Sequence, residues 1–96
     1  MSDAYNVHLV KDDTIMSSKT ATLKGVSYRD IVITLGEPNV ADDPYKVRWS
    51  WGFRVKPSNS PMAIWDWKGS ANRNEWSIYG NCQMWATLFP EATIEN

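Results

Sequence analysis

The sequence predicts an α+β domain with an N-terminal β-hairpin, a short helix, a three-stranded antiparallel meander and a short C-terminal helix packed on one face of the sheet. Three observations predict this class. Residues 46–56 alternate between apolar and other side chains, as in a strand with one buried face. Residues 28–35 and 82–89 instead repeat apolar side chains at helical spacing. Turn-forming residues separate these stretches.

The N-terminal hairpin is expected over about residues 5–24. The stretch AYNVHLV alternates apolar and polar residues, KDDT supplies turn chemistry, and TIMSSKTATLKG continues with several β-branched residues. These features predict two strands joined by a turn, without fixing their register.

The first helix has the clearest boundaries. Ser27 is a suitable N-cap, and Asp30 places a negative charge in the first turn. Gly36 suits a C-terminal residue with positive φ, and Pro38 prevents continuation. The β-branched run in residues 31–34 lowers helix propensity, so packing against the sheet must hold this helix. Its apolar face comprises Tyr28, Ile31, Val32 and Leu35.

Three strands rich in tryptophan are expected to form the meander, from residues 46–56, 62–69 and 75–80. In the first hairpin, apolar residues match only when paired residue numbers sum to an even value such as 118, which pairs Trp51 with Trp67 and Phe53 with Trp65. Pairing Trp67 with Trp76 then extends an aromatic ladder across the sheet. The side chains of Trp51, Trp65, Trp67 and Trp76 are therefore predicted to be buried.

The last element is predicted to be a helix that begins after Asn81, its N-cap, and ends before Pro90. Its apolar residues are Cys82, Trp85, Ala86 and Phe89. We expect residues 91–96 to be frayed, so that one domain spans the chain with an ordered core over about residues 5–89.

Composition favours no particular partner. Ten Lys and Arg residues against eleven Asp and Glu residues leave a formal charge of −1, unlike a strongly cationic nucleic-acid binder or an acidic DNA mimic. Cys82 is the single cysteine, which indicates a reducing compartment. No signal-peptide pattern or run of roughly 18 apolar residues occurs, so we expect a cytoplasmic protein without a membrane partner.

Nothing in the sequence indicates catalysis, a metal or a cofactor. His8 is the only histidine and has no ligand at metal-binding spacing. Cys82 follows a helix N-cap, which can activate a thiol, but burial as a small core residue is the stronger interpretation. Asp42 and Asp43 lack the other oxygen ligands of a calcium loop. The sequence therefore predicts a protein that is not an enzyme.

A basic stripe runs along the first strand of the meander, and it has three interpretations. Its residues are Lys46, Arg48, Arg54 and Lys56. Alternation places them opposite the tryptophans, so one face is not expected to offer both charge and base stacking. A solvated sheet face is favoured, with Asp66 neutralising part of the charge. The other interpretations are a protein or phosphate contact through Arg48 and Arg54.

Read together, the stretches TATLKGVSYRDIVITLGEPN, WSWGFRV, IWDWK and EWSIYGN resemble a family of small proteins encoded by tailed bacteriophages and prophages. That family carries a TSLQG-like segment, a short helix ending in GEP, a Trp-led strand, an IYDY-type strand and a GGHS-like turn into a helix. The similarity covers roughly residues 5–89. This chain has Tyr79, Gly80, Asn81 and Cys82 in place of the last motif, so no role of that histidine or serine transfers.

The resemblance implies a phage protein that acts in the cytoplasm of the infected bacterium by binding a host protein or ribonucleoprotein complex. The leading hypothesis is an inhibitor of host defence, of the anti-CRISPR or anti-restriction type. The alternatives are a nucleic-acid-binding or regulatory protein that uses the basic strand face, and a virion structural or assembly protein. The candidate contact residues are Arg48, Arg54, Lys56, Asp66, Lys68, Tyr79, Glu37, Asp42 and Asp43.

Overall fold

A computed structural model of the chain describes residues 8–12, 15, 18–40, 49–56, 58–67 and 70–95. It confirms the α+β class: two helices lie on one face of a six-stranded antiparallel sheet. The strands are β1 (His8–Lys11), β2 (Ala21–Lys24), β3 (Ser50–Lys56), β4 (Ser60–Trp65), β5 (Glu75–Tyr79) and β6 (Thr93–Glu95). The helices are α1 (Tyr28–Leu35) and α2 (Cys82–Leu88), and Ser70–Arg73 form a 3-10 turn.

The order across the sheet is β1-β3-β4-β5-β2-β6. Both strands expected in residues 5–24 are present, but they do not pair with each other as a hairpin. Strand β1 pairs with β3, and β2 pairs with β5. Each therefore covers one edge of the β3-β4-β5 meander, whose outer backbone groups would otherwise lack partners. Tyr5 and Val7 lie outside the described residues.

Helix α1 has the boundaries that the sequence predicts. The Ser27 hydroxyl accepts a hydrogen bond from the Asp30 backbone N–H, and the Asp30 carboxylate accepts one from the Ser27 N–H, both at 3.1 Å. This is a capping box. Gly36, with φ of 90°, ends the helix. Ile31 is fully buried against the sheet, whereas Ile33 points outward and is 73% exposed.

The core contains three tryptophans, and each indole N–H donates to a backbone carbonyl at the end of an element. Trp51 donates to Gly36, at the end of α1, over 2.8 Å. Trp76 donates to Val26, just before α1, over 2.7 Å. Trp85 of α2 donates to Tyr79, at the end of β5, over 3.0 Å. The three side chains are at most 1% exposed, so they fill the core without leaving a buried donor unpaired.

The predicted register of the meander is wrong. Strands β3 and β4 pair Trp51 with Ile64 and Phe53 with Met62, so that paired numbers sum to 115. Strand β5 places Ile78 opposite Ile64 and Ser77 opposite Trp65. The predicted pairs sum to an even number and the observed pairs to an odd one. The face of β4 that packs into the core is therefore the one opposite to the face predicted.

This register reverses two of the burial predictions. Met62 and Ile64 are fully buried, whereas Trp65 is half-buried and Trp67 is 44% exposed. The sequence correctly placed Trp65 and Trp67, which follows the end of β4, on the same side of the sheet, but assigned that side to the core. The predictions for Trp51 and Trp76 are confirmed. Trp49, which directly precedes β3, is half-buried against Tyr28, with ring centroids 4.5 Å apart.

The C-terminal segment also differs from expectation. The predicted cap of α2 is confirmed, because the Asn81 side chain accepts hydrogen bonds from the backbone N–H groups of Gln83 and Met84. The prediction of a frayed tail is wrong: β6 pairs with β2, and Ile94 lies opposite Leu23. That apolar contact and the ladder hydrogen bonds oppose the fraying expected of a chain end.

Gly52 of β3 permits a close crossing of the chain on the face opposite the helices. A Cβ atom at this position would lie 2.5 Å from the Asp12 carbonyl oxygen and 3.2 Å from a Val40 methyl carbon. The Asn39 side chain also hydrogen-bonds both the N–H and the carbonyl oxygen of Gly52. Only glycine, which has no Cβ atom, fits at this position without displacing the neighbouring backbone.

Ile64→Ala should lower the free energy of unfolding by about 2–5 kcal/mol, because it removes a fully buried side chain. Trp67→Ala should cost less than about 1.5 kcal/mol, because Trp67 lies outside the core. Urea denaturation monitored by circular dichroism measures both. A larger loss for Trp67→Ala than for Ile64→Ala would contradict the observed register and support the one expected from the sequence.

Gly52→Ala should lower the free energy of unfolding by about 1–3 kcal/mol, because the added methyl group displaces the Asp12 backbone. Ser50→Ala is the matched control, since Ser50 is buried on the same face of the same strand. The same denaturation measurement applies, and a change within about 0.5 kcal/mol for Gly52→Ala would contradict the crossing.

Candidate functional site

The candidate site is the face of the sheet opposite the two helices, termed here the open face. Strand alternation and the observed register place a row of side chains across it, from Trp65 through Ser77 and Thr22 to Glu95. A neighbouring row pairs Ala63 with Tyr79. The segments that cross Gly52 cover β3, so the accessible part lies on β4, β5, β2 and β6.

Three aromatic side chains belong to this face. Trp65 and Tyr79 are half-buried, and Trp67 is 44% exposed. The position of Trp67 is fixed by the adjoining 3-10 turn: its N–H donates to the Ser70 hydroxyl over 3.0 Å, and its carbonyl accepts from the Ser70 N–H over 3.1 Å. A large apolar ring is thus held at the surface by backbone hydrogen bonds.

A small cleft of about 140 Å³ adjoins Trp67. Its lining combines aromatic, hydroxyl and charged groups, from Lys19, Thr22, Trp67, Ser70, Arg73, Glu75, Trp76 and Ser77. The volume is below the roughly 300–1,000 Å³ of typical small-molecule sites. The cleft therefore suits one side chain of a partner better than a metabolite.

Ion pairs neutralise much of the charge on this side of the sheet. Lys24 Nζ lies 2.9 Å from Glu95 Oε1, and Arg73 Nε lies 3.6 Å from Glu75 Oε1. The hydrogen bond and charge of Glu95 raise the pKa of Lys24 above its ordinary value. The surface consequently offers mixed, paired charges rather than a continuous cationic track.

Of the predicted basic stripe, the structure describes Arg54 and Lys56, and both are engaged within the fold. Arg54 Nε contacts Asp12 Oδ2 at 2.8 Å, and Arg54 Nη1 donates to the Asn59 carbonyl over 3.1 Å. Lys56 donates to the Asn59 side chain. The two contacts to Asn59 stabilise the β3-β4 turn, in which Asn59 has a positive φ of 63°. Arg54 and Lys56 therefore have structural partners, which the sequence did not indicate.

The predicted exposure of Asp66 is wrong. Asp66 is fully buried, and its Oδ1 accepts a hydrogen bond from the Trp49 N–H over 3.0 Å. The Asp66 N–H in turn donates to the Trp49 carbonyl over 3.2 Å. The carboxylate is buried because the observed register turns even-numbered residues of β4 inward, and the hydrogen bonds between Trp49 and Asp66 continue that register one residue beyond the strand.

The remaining candidate residues are dispersed. Tyr79 lies on the open face, and Glu37 is exposed beyond the end of α1, near Tyr28. Arg48, Lys68, Asp42 and Asp43 lie outside the described residues. The structure thus keeps Tyr79 in the candidate site and adds Trp65, Trp67, Lys19 and Arg73. Of these additions, the sequence predicted only that Trp65 and Trp67 share a face. No sequence pattern indicated Lys19 or Arg73.

Within the described ranges, no group of three or more His, Cys, Asp or Glu side chains is arranged to hold a metal ion. Those same ranges contain no helix with the length and apolar character needed to cross a membrane. In comparisons with known proteins, no family model, curated protein or solved structure matches this chain.

The pKa of Tyr28 offers a test of the packing around Glu37. Burial raises this pKa, and the charge and hydrogen bond of Glu37 raise it further. Because the folded state holds this proton more tightly than the unfolded state, the stabilisation is present below the ordinary pKa of about 10. It is lost as the pH rises through the folded-state value.

Glu37→Gln should therefore lower the pKa of Tyr28 while leaving it above about 10, because burial remains. Titration of the tyrosine ¹³Cζ resonances by NMR measures this value. Glu91→Gln, which removes an exposed carboxylate elsewhere, should leave it unchanged. An unchanged Tyr28 pKa in Glu37→Gln would exclude the interaction.

Proposed function

We propose that this protein is a non-enzymatic binding module that docks on another protein through the open face of its sheet. The observation that carries the proposal is the outward placement of Trp65, Trp67 and Tyr79 on β4, its extension and β5. Tryptophan and tyrosine are enriched among residues that dominate the energy of protein interfaces. Their rings also lose little conformational entropy on binding.

The surroundings of these rings support the same role. Thr22, which is half-buried, provides a hydroxyl group in the row that contains Trp65, and ion pairs involving Lys24 and Arg73 lie farther out. An apolar centre with a polar margin is the usual organisation of a protein interface. The paired charges would contribute orientation and specificity more than affinity.

The resemblance to phage proteins suggests the class of partner. We propose a protein or ribonucleoprotein complex of a bacterial defence system, bound in the cytoplasm of the infected host, with inhibition of the anti-CRISPR or anti-restriction type as the outcome. This part of the proposal rests on analogy with small phage accessory proteins. A role in virion structure or assembly is the outcome if the partner proves to be a phage protein.

Nucleic-acid binding is a second candidate, and the corrected register favours it more than the sequence did. Trp65 lies on the same face as Arg54 and Lys24, so aromatic and cationic side chains are not segregated. Single-strand binders use such combinations. However, Arg54, Lys24 and Arg73 each pair with a carboxylate, which would repel the phosphate backbone. Protein binding is therefore preferred.

Trp67→Ala should abolish or weaken partner binding by roughly 30-fold, as loss of about 2 kcal/mol at an interface hot spot does. The chain would be used to capture partners from bacteria with and without a CRISPR or restriction system. Affinity for the purified partner would then be measured by surface plasmon resonance. Val10→Ala is the control for loss of exposed apolar surface. Val10 is exposed at 46% and lies opposite Arg54, on the same side of the sheet, but strand β3, which the crossing segments cover, separates it from Trp67.

Two results would oppose the proposal. Wild-type affinity in Trp67→Ala would remove the open face from the interface. Tight binding of oligothymidylate that weakens steeply with salt would favour the nucleic-acid alternative. Recovery of phage structural proteins, with no effect on infection of defended hosts, would replace the defence target by an assembly role.

A further inference from the structure

A second surface lies on the helix side of the sheet, in a groove between α1 and the end of α2. Its volume is about 280 Å³. One wall is formed by Asp30, Ile33 and Thr34, which share a face of α1 through their spacing of three and four residues. The rest of the lining comes from Gly25, Val26, Leu88, Phe89, Pro90, Glu91 and Ala92.

The apolar character of this groove is not explained by core formation alone. Val26 and Phe89 are buried and form part of the core, but Ile33 is 73% exposed on the groove wall. A β-branched residue also costs helix propensity at this position. Ile33 therefore contributes an apolar surface beside Leu88 and Pro90 that the isolated fold leaves in water.

The charges at the groove have one sign. Asp30 and Glu91 are its charged lining residues, and both are exposed carboxylates. The hydrogen bond from the Ser27 N–H holds the Asp30 carboxylate in place. Since no cation is among the described residues that line the groove, its electrostatic complement is positive.

We propose that this groove binds a short segment of another protein that presents an apolar side chain next to lysine or arginine. The apolar side chain covers Ile33 and Leu88, while the basic group lies near Asp30 and Glu91. The groove is smaller than a typical small-molecule site but large enough for side-chain insertion. It faces away from the open face, so this binding is independent of the function proposed above.

The test uses NMR titration of the full chain with acetyl-GLRFKG-amide. The methyl resonances of Ile33 and Leu88 should shift, and the affinity should fall by about fivefold or more for acetyl-GLEFEG-amide and for acetyl-GSRSKG-amide. These two peptides separately remove the positive charges and the apolar side chains.

Variants of the protein identify which groove residues contact the peptide. Ile33→Ala and Glu91→Gln should each weaken binding of the basic peptide by about threefold or more, with unchanged thermal unfolding, because both residues are exposed. Glu37→Gln is the control, since it removes the same charge from an exposed site outside the groove lining.

The proposal is overturned by any of four results. These are no shift at millimolar peptide, equal affinity for basic and acidic peptides, equal weakening by Glu37→Gln and Glu91→Gln, or shifts confined to the open face. Sedimentation that shows an Ile33-dependent dimer would also overturn it, because a second copy of the chain would then occupy the groove.

Discussion

Two buried indole N–H groups hold the ends of helix α1 onto the sheet, and the rest of the structure depends on this attachment. Trp76 donates to the Val26 carbonyl before the helix, and Trp51 donates to the Gly36 carbonyl at its end. The two rings also contact edge to face, with centroids 5.6 Å apart. An eight-residue helix with a β-branched run is weak in isolation, so these tertiary contacts supply what its local propensity lacks.

The attachment constrains which residues of β4 enter the core. Helices of eight and seven residues are only about 12 and 10 Å long. The space beneath them already contains Trp51, Trp76 and Trp85, and adding Trp65 and Trp67 would overpack it. Met62 and Ile64 fill the remaining space, and a buried Asp66 hydrogen-bonded to the Trp49 backbone accompanies that register.

Local signals in the sequence predicted the elements, whereas nonlocal pairing decided their arrangement. The caps at Ser27 and Asn81 depend on neighbouring residues and were readable directly. The β3-β4 register depends on a turn in which Asn59 adopts positive φ, a conformation that asparagine tolerates. The stretch KPSNSP contains this asparagine, but the alternation of tryptophans predicts a different register. The Arg54–Asp12 ion pair joins residues 42 positions apart, beyond the reach of periodicity.

The same register determines the chemistry of both faces. Turning Met62 and Ile64 inward necessarily turns Trp65 outward, because successive side chains of a strand alternate. The tryptophan that the core cannot hold thus becomes the centre of the open face. Lys24 and Arg54 on this face remain paired with carboxylates. The aromatic rings, of which Trp67 is the most exposed, therefore distinguish this surface from an ordinary solvated sheet more than the basic stripe does. The excess of aromatic side chains over the volume available beneath the two helices thus gives this fold its most distinctive surface.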